Sequence, residues 1–287
     1  MATDPAPAAA APPPFKLLPV RLPPEDILFC VDVDLEASAD MKPAAAAAAA
    51  AASSGSASTA SPQPSSQAAA RAAPRPGVRR MDAVKQALLL FVHGKLTMCP
   101  DHRFAFAKLG DTFSWVKKDF SSDPGAAMEA IHSLYALDSR CAMADLTQLF
   151  KVAYEEGKRA ESQGRLLRVV LIYCRSSTKP QHQWPVKPKN FTLDVIYLHD
   201  KPTADNCPQK VYDALVDALE HVSQYEGYIL ETGQGLARVL FRQTCILLSH
   251  PLQRCNQDDL DIPKPVVKKT LATEAAKNED GTPVASQ

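Results

Sequence analysis

The stretch ILFCVDVDLE, residues 27–36, decides the fold of this chain. Its first seven residues are apolar apart from Asp32, and such a continuous run is typical of a strand that is buried on both faces. Acidic residues follow at once, so the strand ends in a polar turn. The runs LLRVVLIYC (166–174) and FTLDVIYLH (191–199) have the same character, and GYILET (227–232) is a shorter strand.

Helical patterns separate these strands. Apolar residues recur at helical spacing in residues 81–96, 122–137, 144–160, 210–222 and 235–249. Buried strands joined by helical crossovers form a parallel sheet that is covered on two sides. FAFAKLG (104–110) and TFSWVKK (112–118), with only Asp111 between them, predict a hairpin. We therefore predict an α/β fold: a doubly wound, mostly parallel six-stranded sheet of Rossmann type with one antiparallel edge strand.

Composition narrows the class of protein. The 287 residues carry 32 basic and 32 acidic side chains, and this balance argues against direct nucleic-acid binding. No run of about 20 strongly apolar residues predicts a membrane span. The seven cysteines contain no CxxC pair and several lie in apolar runs, as free thiols do in a reducing compartment. We expect a protein of the nucleus and cytoplasm.

Low-complexity segments set the expected domain boundaries. Residues 1–19 are rich in Ala and Pro, and residues 43–77 combine nine consecutive alanines with a Ser/Pro/Gln-rich remainder. Such sequences bury too little apolar area to offset their ordering entropy, so we expect both to be disordered. The polar residues 256–287 predict a flexible tail. One domain is expected over residues 20–255, with 43–77 as an insertion.

The acidic turn after the first strand is a candidate metal site. Asp32, Asp34 and Glu36 alternate, so their carboxylates could converge on a hard cation. The turn resembles the Asp-x-Ser-x-Ser start of the metal-ion-dependent adhesion site in von Willebrand factor A domains. That site also uses a later Thr and Asp, whereas residues 139–144 contain no Thr and Arg175 follows the central strand. We predict a degenerate site with no metal and no cofactor; a metal-dependent ligand-binding module remains the alternative.

Other motifs give weaker signals for catalysis. Gly233-Gln234-Gly235 follows a strand and opens a helix, as a dinucleotide fingerprint does, but Arg238 replaces its third glycine. A nucleotide-dependent enzyme is therefore a third hypothesis. No nucleophile-elbow, zinc-protease or P-loop motif is present, although a Cys–His pair assembled by folding stays open. We predict no catalytic residues and no enzyme activity.

Two segments are candidate partner-binding sites. Trp184 lies in a Pro-rich loop (QHQWPVKPK, 181–189) between two strands, and Trp is enriched in interface cores. An ordinary crossover loop explains the segment equally well. The second segment closes the last helix, where proline stops the helix and arginine can pair with carbonyls or a partner carboxylate. Its residues are His250, Pro251, Leu252, Gln253 and Arg254.

Four ordered segments together resemble one protein family. ILFCVDVDLE, RVVLIYCR (168–175), FTLDVIYLHD (191–200) and LLSHPLQR (247–254) are similar to the von Willebrand factor A-like scaffold subunits of the BRISC deubiquitinase complex and of the nuclear breast-cancer-protein A complex. The resemblance covers roughly residues 25–36 and 81–255. Asp34, where the family usually has Ser, and the large insertion depart from it.

The resemblance implies a non-catalytic role. It implies docking onto a subunit with ubiquitin-conjugating-enzyme-like folds, in an assembly whose zinc metalloprotease subunit cleaves ubiquitin chains. The associated biology would be the DNA-damage response. A scaffold or adaptor of this kind is the function that we expect from the sequence.

Overall fold

The computed structural model describes residues 21–41, 77–232 and 237–260. The predictions for residues 1–19, for residues 43–76 and for the tail beyond 260 lie outside the described residues. So do Gly233 and Gly235 of the candidate nucleotide motif. Residues 256–260 are described: the Gln257 amide donates to the Ile229 carbonyl, and Leu260 packs against the core.

Strands and helices alternate along the described chain. The strands are β1 Glu25–Asp32, β2 Asp40–Met41, β3 Val78–Arg79, β4 Arg103–Leu109, β5 Phe113–Ser121, β6 Ala144–Asp145, β7 Leu166–Tyr173, β8 Pro180–Gln181, β9 Phe191–Leu198 and β10 Ile229–Thr232. The helices are α1 Arg80–Met98, α2 Pro124–His132, α3 Thr147–Ser162, α4 Pro208–Val222 and α5 Ala237–Ile246. Short 3₁₀ turns cover Leu35–Ser38, Pro251–Gln253 and Gln257–Asp259.

The central sheet confirms the predicted fold class. Its six strands follow the order β10-β9-β7-β1-β4-β5. All neighbours pair in parallel except β4 and β5, which form the predicted antiparallel hairpin. The chain order reverses on either side of β1. In open α/β sheets this reversal creates a crevice at the carboxyl ends of the strands.

Residues of β1 alternate between two apolar cores. Ile27, Phe29 and Val31 face α1, α2 and α5, while Leu28 and Cys30 face α3 and α4. Helices therefore cover both faces of the sheet. Strand side chains point to opposite faces in turn, and a strand covered on both sides needs apolar residues at nearly every position.

Helix α2 begins where the sequence predicts and ends earlier. The Asp123 carboxylate accepts the N–H groups of Gly125 and Ala126 at 3.0 Å each, which caps the helix. The predicted pattern continues to residue 137, but the helix stops at His132. The chain then returns to the acidic turn, where the Leu137 N–H donates to the Val33 carbonyl at 2.7 Å.

Helix α3 lies unusually close to the segment before β9. A Cβ atom on Gly157 would lie 2.7 Å from the Asn190 carbonyl oxygen. The Asn190 side chain donates to the Tyr154 carbonyl at 2.9 Å, which holds the two segments together. Glycine at this position therefore permits the close packing. None of the described helices is both long and apolar enough to cross a bilayer.

Candidate functional site

The acidic turn lies at the carboxyl end of β1, where the strand order reverses. Asp32 is the last residue of β1, and Asp34 caps the 3₁₀ turn by accepting the Glu36 N–H at 2.9 Å. The structure brings the carboxylates of Asp32, Asp34 and Glu36 to one edge of the sheet, and all three residues are buried. This is the place where a metal-dependent domain of this fold would hold its cation.

The guanidinium of Arg175 occupies the space beside Asp32. Its Nε lies 3.1 Å from both carboxylate oxygens of Asp32, and its Nη2 lies 3.0 Å from Oδ1. Both side chains are completely buried. The backbone N–H groups of Asp34 and Cys174 also donate to Asp32, at 3.1 and 3.0 Å. Asp32 therefore accepts hydrogen bonds from one guanidinium and from two backbone N–H groups.

Arg175 also ties neighbouring loops to the acidic turn. Its Nη1 donates to the Met143 carbonyl, and its Nη2 donates to the Gly110 carbonyl at 2.5 Å. Burial alone would lower the pKa of Arg175, but the adjacent Asp32 carboxylate outweighs burial and raises that pKa. The guanidinium therefore stays charged, and it links the ends of β1, β4 and β7.

The remaining two carboxylates of the turn have partners of their own. The second oxygen of Asp34 accepts the Cys141 N–H at 2.6 Å. Glu36 accepts the Ser176 N–H at 2.9 Å and lies 3.5 Å from the exposed guanidinium of Arg140. A bound cation would have to displace these donors.

A second arginine, Arg80, forms hydrogen bonds at the same edge of the sheet. It donates to the carbonyls of Glu36 and Cys174 at 3.0 and 3.1 Å and to the Asp200 carboxylate at 3.0 Å. Sequence reasoning missed Arg80, because it stands at the start of α1 with no motif around it. Its partners are 44 and more residues away along the chain, so only the tertiary structure shows its role.

The donor set of this edge does not fit a divalent cation. Hard cations need several oxygen ligands that are free to turn towards them. Here Arg175 pairs with the Asp32 carboxylate and Arg140 with the Glu36 carboxylate, while Arg80 donates to the Glu36 backbone carbonyl. Among residues 21–41, 77–232 and 237–260, no group of three or more His, Cys, Asp or Glu side chains is arranged to hold a metal ion. Arg175 thus supplies inside the protein the positive charge that a metal would otherwise bring.

Trp184 lies on the opposite face of the sheet from α1. Its ring is 5.6 Å from the Tyr154 ring of α3, and the Lys187 ammonium lies 4.6 Å from the Trp184 centroid. The indole is half-buried against the core, whereas Val186 in the same loop is 89% exposed. Tyr154, Trp184, Val186 and Lys187 form the Trp184 patch. The loop thus packs as a crossover loop and also presents an apolar surface.

Residues 250–254 divide into buried and exposed side chains. His250 and Pro251 are buried, and the His250 Nδ1 accepts the Leu252 N–H at 3.2 Å. The Arg254 side chain is fully buried, and it forms two hydrogen bonds with Asp194, at 2.6 and 3.0 Å. Leu252 and Gln253 are exposed. Of the five residues, these two side chains are therefore the ones that a partner can contact directly.

Arg254 belongs to a buried charge network at the amino-terminal edge of the sheet. Arg168 donates to Asp194 at 2.5 Å and lies 3.3 Å from Glu25, which also pairs with Lys95. Burial raises the pKa of Asp194, but Arg168 and Arg254 outweigh burial and hold that pKa below its usual range. The network ties the segment after α5 to β1, β7 and β9, and so it serves the fold.

The sheet order and the position of the acidic turn define a von Willebrand factor A-like domain. No protein-family profile and no curated protein matches the chain.

Similar solved structures include the SpRpn10 VWA domain, with 13% identity and a TM-score of 0.44, covering 77% of this chain and 95% of that chain. The PilB minor pilin from Streptococcus sanguinis has 9% identity and a TM-score of 0.46, covering 80% of this chain and 62% of the pilin chain. Human COPII-coat protein Sec24c has 10% identity and a TM-score of 0.43, covering 79% of this chain and 31% of that chain. These likenesses extend to the fold alone.

Proposed function

We propose that this chain is a non-catalytic scaffold subunit of a ubiquitin-chain-cleaving assembly. It would dock onto a subunit with ubiquitin-conjugating-enzyme-like folds and so stabilise an assembly that contains a zinc metalloprotease. The assembly would act in the DNA-damage response, in the nucleus and cytoplasm. The resemblance of four sequence segments to the scaffold subunits of such complexes supports the choice of partners.

The ion pair of Asp32 with Arg175 is the observation that carries the non-catalytic part of the proposal. Metal-dependent recognition needs a carboxylate that can turn to a cation, and here a buried guanidinium holds that carboxylate. Removing the guanidinium would leave a buried charge without compensation. Without a metal at this edge, recognition depends on surface shape and on exposed side chains.

Exposed apolar side chains on two surfaces are the candidate contacts. The Trp184 patch presents Val186 beside two aromatic rings, and aromatic side chains are enriched at the centres of interfaces. On the other face, Leu252 is 43% exposed next to Gln253, in a turn that buried His250 and Arg254 hold rigid. A rigid support lowers the entropy that binding would cost.

Co-purification with matched variants tests the proposal. The tagged full chain should recover a zinc metalloprotease and a ubiquitin-conjugating-like subunit from cell extract. Leu252→Asp and Val186→Asp should each reduce that recovery if their surface is the contact. Leu90→Asp is the control, because Leu90 on α1 is 44% exposed and lies in neither surface. Recovery of no such subunits by the unmodified chain would contradict the proposal.

Calorimetry separates this proposal from the metal-dependent alternative. Titration of the full chain with Mg²⁺ or Mn²⁺ should release no binding heat at millimolar metal, because Asp32, Asp34 and Glu36 already have protein donors. A saturating isotherm would instead favour a metal-dependent ligand-binding module.

A further inference from the structure

An apolar groove lies at the amino-terminal edge of the sheet, away from the acidic turn. It runs between the end of α1, the end of α5 and residues 21–24, and its volume is about 880 Å³. Met98 is 62% exposed beside it. Polar side chains, among them Arg21, Asp101 and Gln253, also line it. Its apolar wall residues are Leu22, Pro23, Pro24, Met98, Ile246 and Leu248.

The polar groups at the base of the groove are already engaged. Lys95 pairs with Glu25, and His102 Nδ1 accepts the Glu25 N–H at 2.9 Å. His250 Nε2 bonds to the Pro23 carbonyl at 3.0 Å, while its Nδ1 accepts the Leu252 N–H. Burial lowers the pKa of His102 to about 4, so this ring is neutral near pH 7. The base of the groove therefore has few hydrogen-bonding or charged groups free to bind a charged ligand, and the groove suits an apolar occupant.

We propose that residues 15–18 of this same chain, Phe15-Lys16-Leu17-Leu18, occupy the groove. The wall that begins at Arg21 is the direct continuation of this segment. Only Pro19 and Val20 separate it from the groove, so attachment gives it an effective concentration in the millimolar range. An external peptide would need to compete with that advantage.

The chemistry of the segment matches the groove. Phe15, Leu17 and Leu18 are apolar, unlike the alanine-rich residues before them. Together they amount to a drug-sized apolar ligand, and cavities of roughly 300–1,000 Å³ hold such ligands. Lys16 can meet the exposed Asp101 on the rim. Docking would also cover Met98, which otherwise leaves apolar surface in water.

Prolines reduce the entropy that docking costs. Three consecutive prolines, residues 12–14, precede the segment, Pro19 follows it, and Pro23 and Pro24 lead into β1. Proline fixes φ near −65° and favours extended backbone on both sides. The segment therefore has fewer conformations to lose than an ordinary polar terminus.

Two native thiols report on the groove. Cys99 and Cys245 line it, and Cys245 is exposed among the described residues. Maleimide labelling of the full chain, followed by mass spectrometry, gives the rate for each cysteine. In the variant Phe15→Ser/Leu17→Ser/Leu18→Ser, both groove thiols should react roughly tenfold faster, the factor for a segment that is docked about nine-tenths of the time.

The matched control is Ala9→Ser/Ala10→Ser/Ala11→Ser, which places three serines in the same terminus and should leave the rates unchanged. Exposed Cys207, before α4 at the opposite edge of the sheet, is the internal reference. Buried Cys30 and Cys174 must stay unlabelled in every variant, which shows that the domain is folded.

Equal labelling of the groove thiols in the native chain and the triple-serine variant would overturn the proposal. The proposal would also be overturned if the slow labelling of Cys99 and Cys245 became fast on dilution, because the docked segment would then come from a second copy of the chain. Protection that persists on dilution and is lost only in the Phe15/Leu17/Leu18 variant supports docking within one chain.

Discussion

Replacing Arg175 with methionine tests whether this guanidinium takes the place of a metal ion. The variant Arg175→Met keeps much of the side-chain length but removes every side-chain donor to the Asp32 carboxylate. The carboxylate would then keep only the N–H groups of Asp34 and Cys174, in a site with no exposed area. A buried carboxylate in that state is strongly destabilising.

The expected magnitude follows from the geometry. Removing one member of a buried, hydrogen-bonded ion pair costs about 3–5 kcal/mol. Domains of this kind have unfolding free energies of about 5–15 kcal/mol, so the loss is a large share of the total. The corresponding fall in Tm is about 6–20 °C for a domain of this size.

Urea denaturation followed by tryptophan fluorescence measures the change. The midpoint should fall while the m-value stays constant, because the surface exposed on unfolding is unchanged. The control is Arg140→Met at the same edge. Its side chain is 66% exposed and lies 3.5 Å from Glu36, so its loss should cost no more than about 1 kcal/mol.

A double variant completes the test. In Asp32→Asn/Arg175→Met no buried charge is left unpaired, so this protein should be more stable than Arg175→Met by at least about 1 kcal/mol. The reasoning is refuted if Arg175→Met costs as little as Arg140→Met. It is also refuted if the double variant is less stable than Arg175→Met alone.

Three further predictions concern the fold and its surface. The pKa of His102 is about 4 in the folded protein and 6.5 in the unfolded chain. The contribution of His102 to the free energy of unfolding is therefore fully present above pH 6.5, and it decreases by up to about 3 kcal/mol as the pH falls towards 4. Urea midpoints should therefore depend less on pH in His102→Gln; an unchanged slope would contradict this. Gly157→Ala should lower the free energy of unfolding by about 1–3 kcal/mol, because the new Cβ would lie 2.7 Å from the Asn190 carbonyl oxygen. Gly110→Ala should leave the free energy of unfolding nearly unchanged, because the space around its Cβ is open. Equal thermal midpoints for the two would contradict the packing argument. Trp184→Ala should lower both stability and partner recovery in co-purification, since the indole packs on the core and also forms surface; a loss of stability alone would limit Trp184 to a structural role.

Local sequence determined most of the fold. The runs that form β1, β7 and β9 are apolar on both faces, and this pattern already identifies strands at the centre of a parallel sheet. Asp123 and Pro124 mark a helix start through cap chemistry that needs only neighbouring residues. The acidic turn and the arginine after the central strand are also visible in sequence, so the sequence predicts an altered metal site.

Only the tertiary structure decided what the charged side chains do. Arg175 and Asp32 are 143 residues apart, and Arg254 reaches Asp194 across 60 residues. Hydrogen-bond geometry and burial depend on how distant segments meet, and no local pattern encodes that. The same holds within residues 250–254, where one short segment buries His250 and Arg254 yet exposes Leu252. Apolar periodicity is a local property of the chain, whereas the pairing of buried charges is a property of the folded whole.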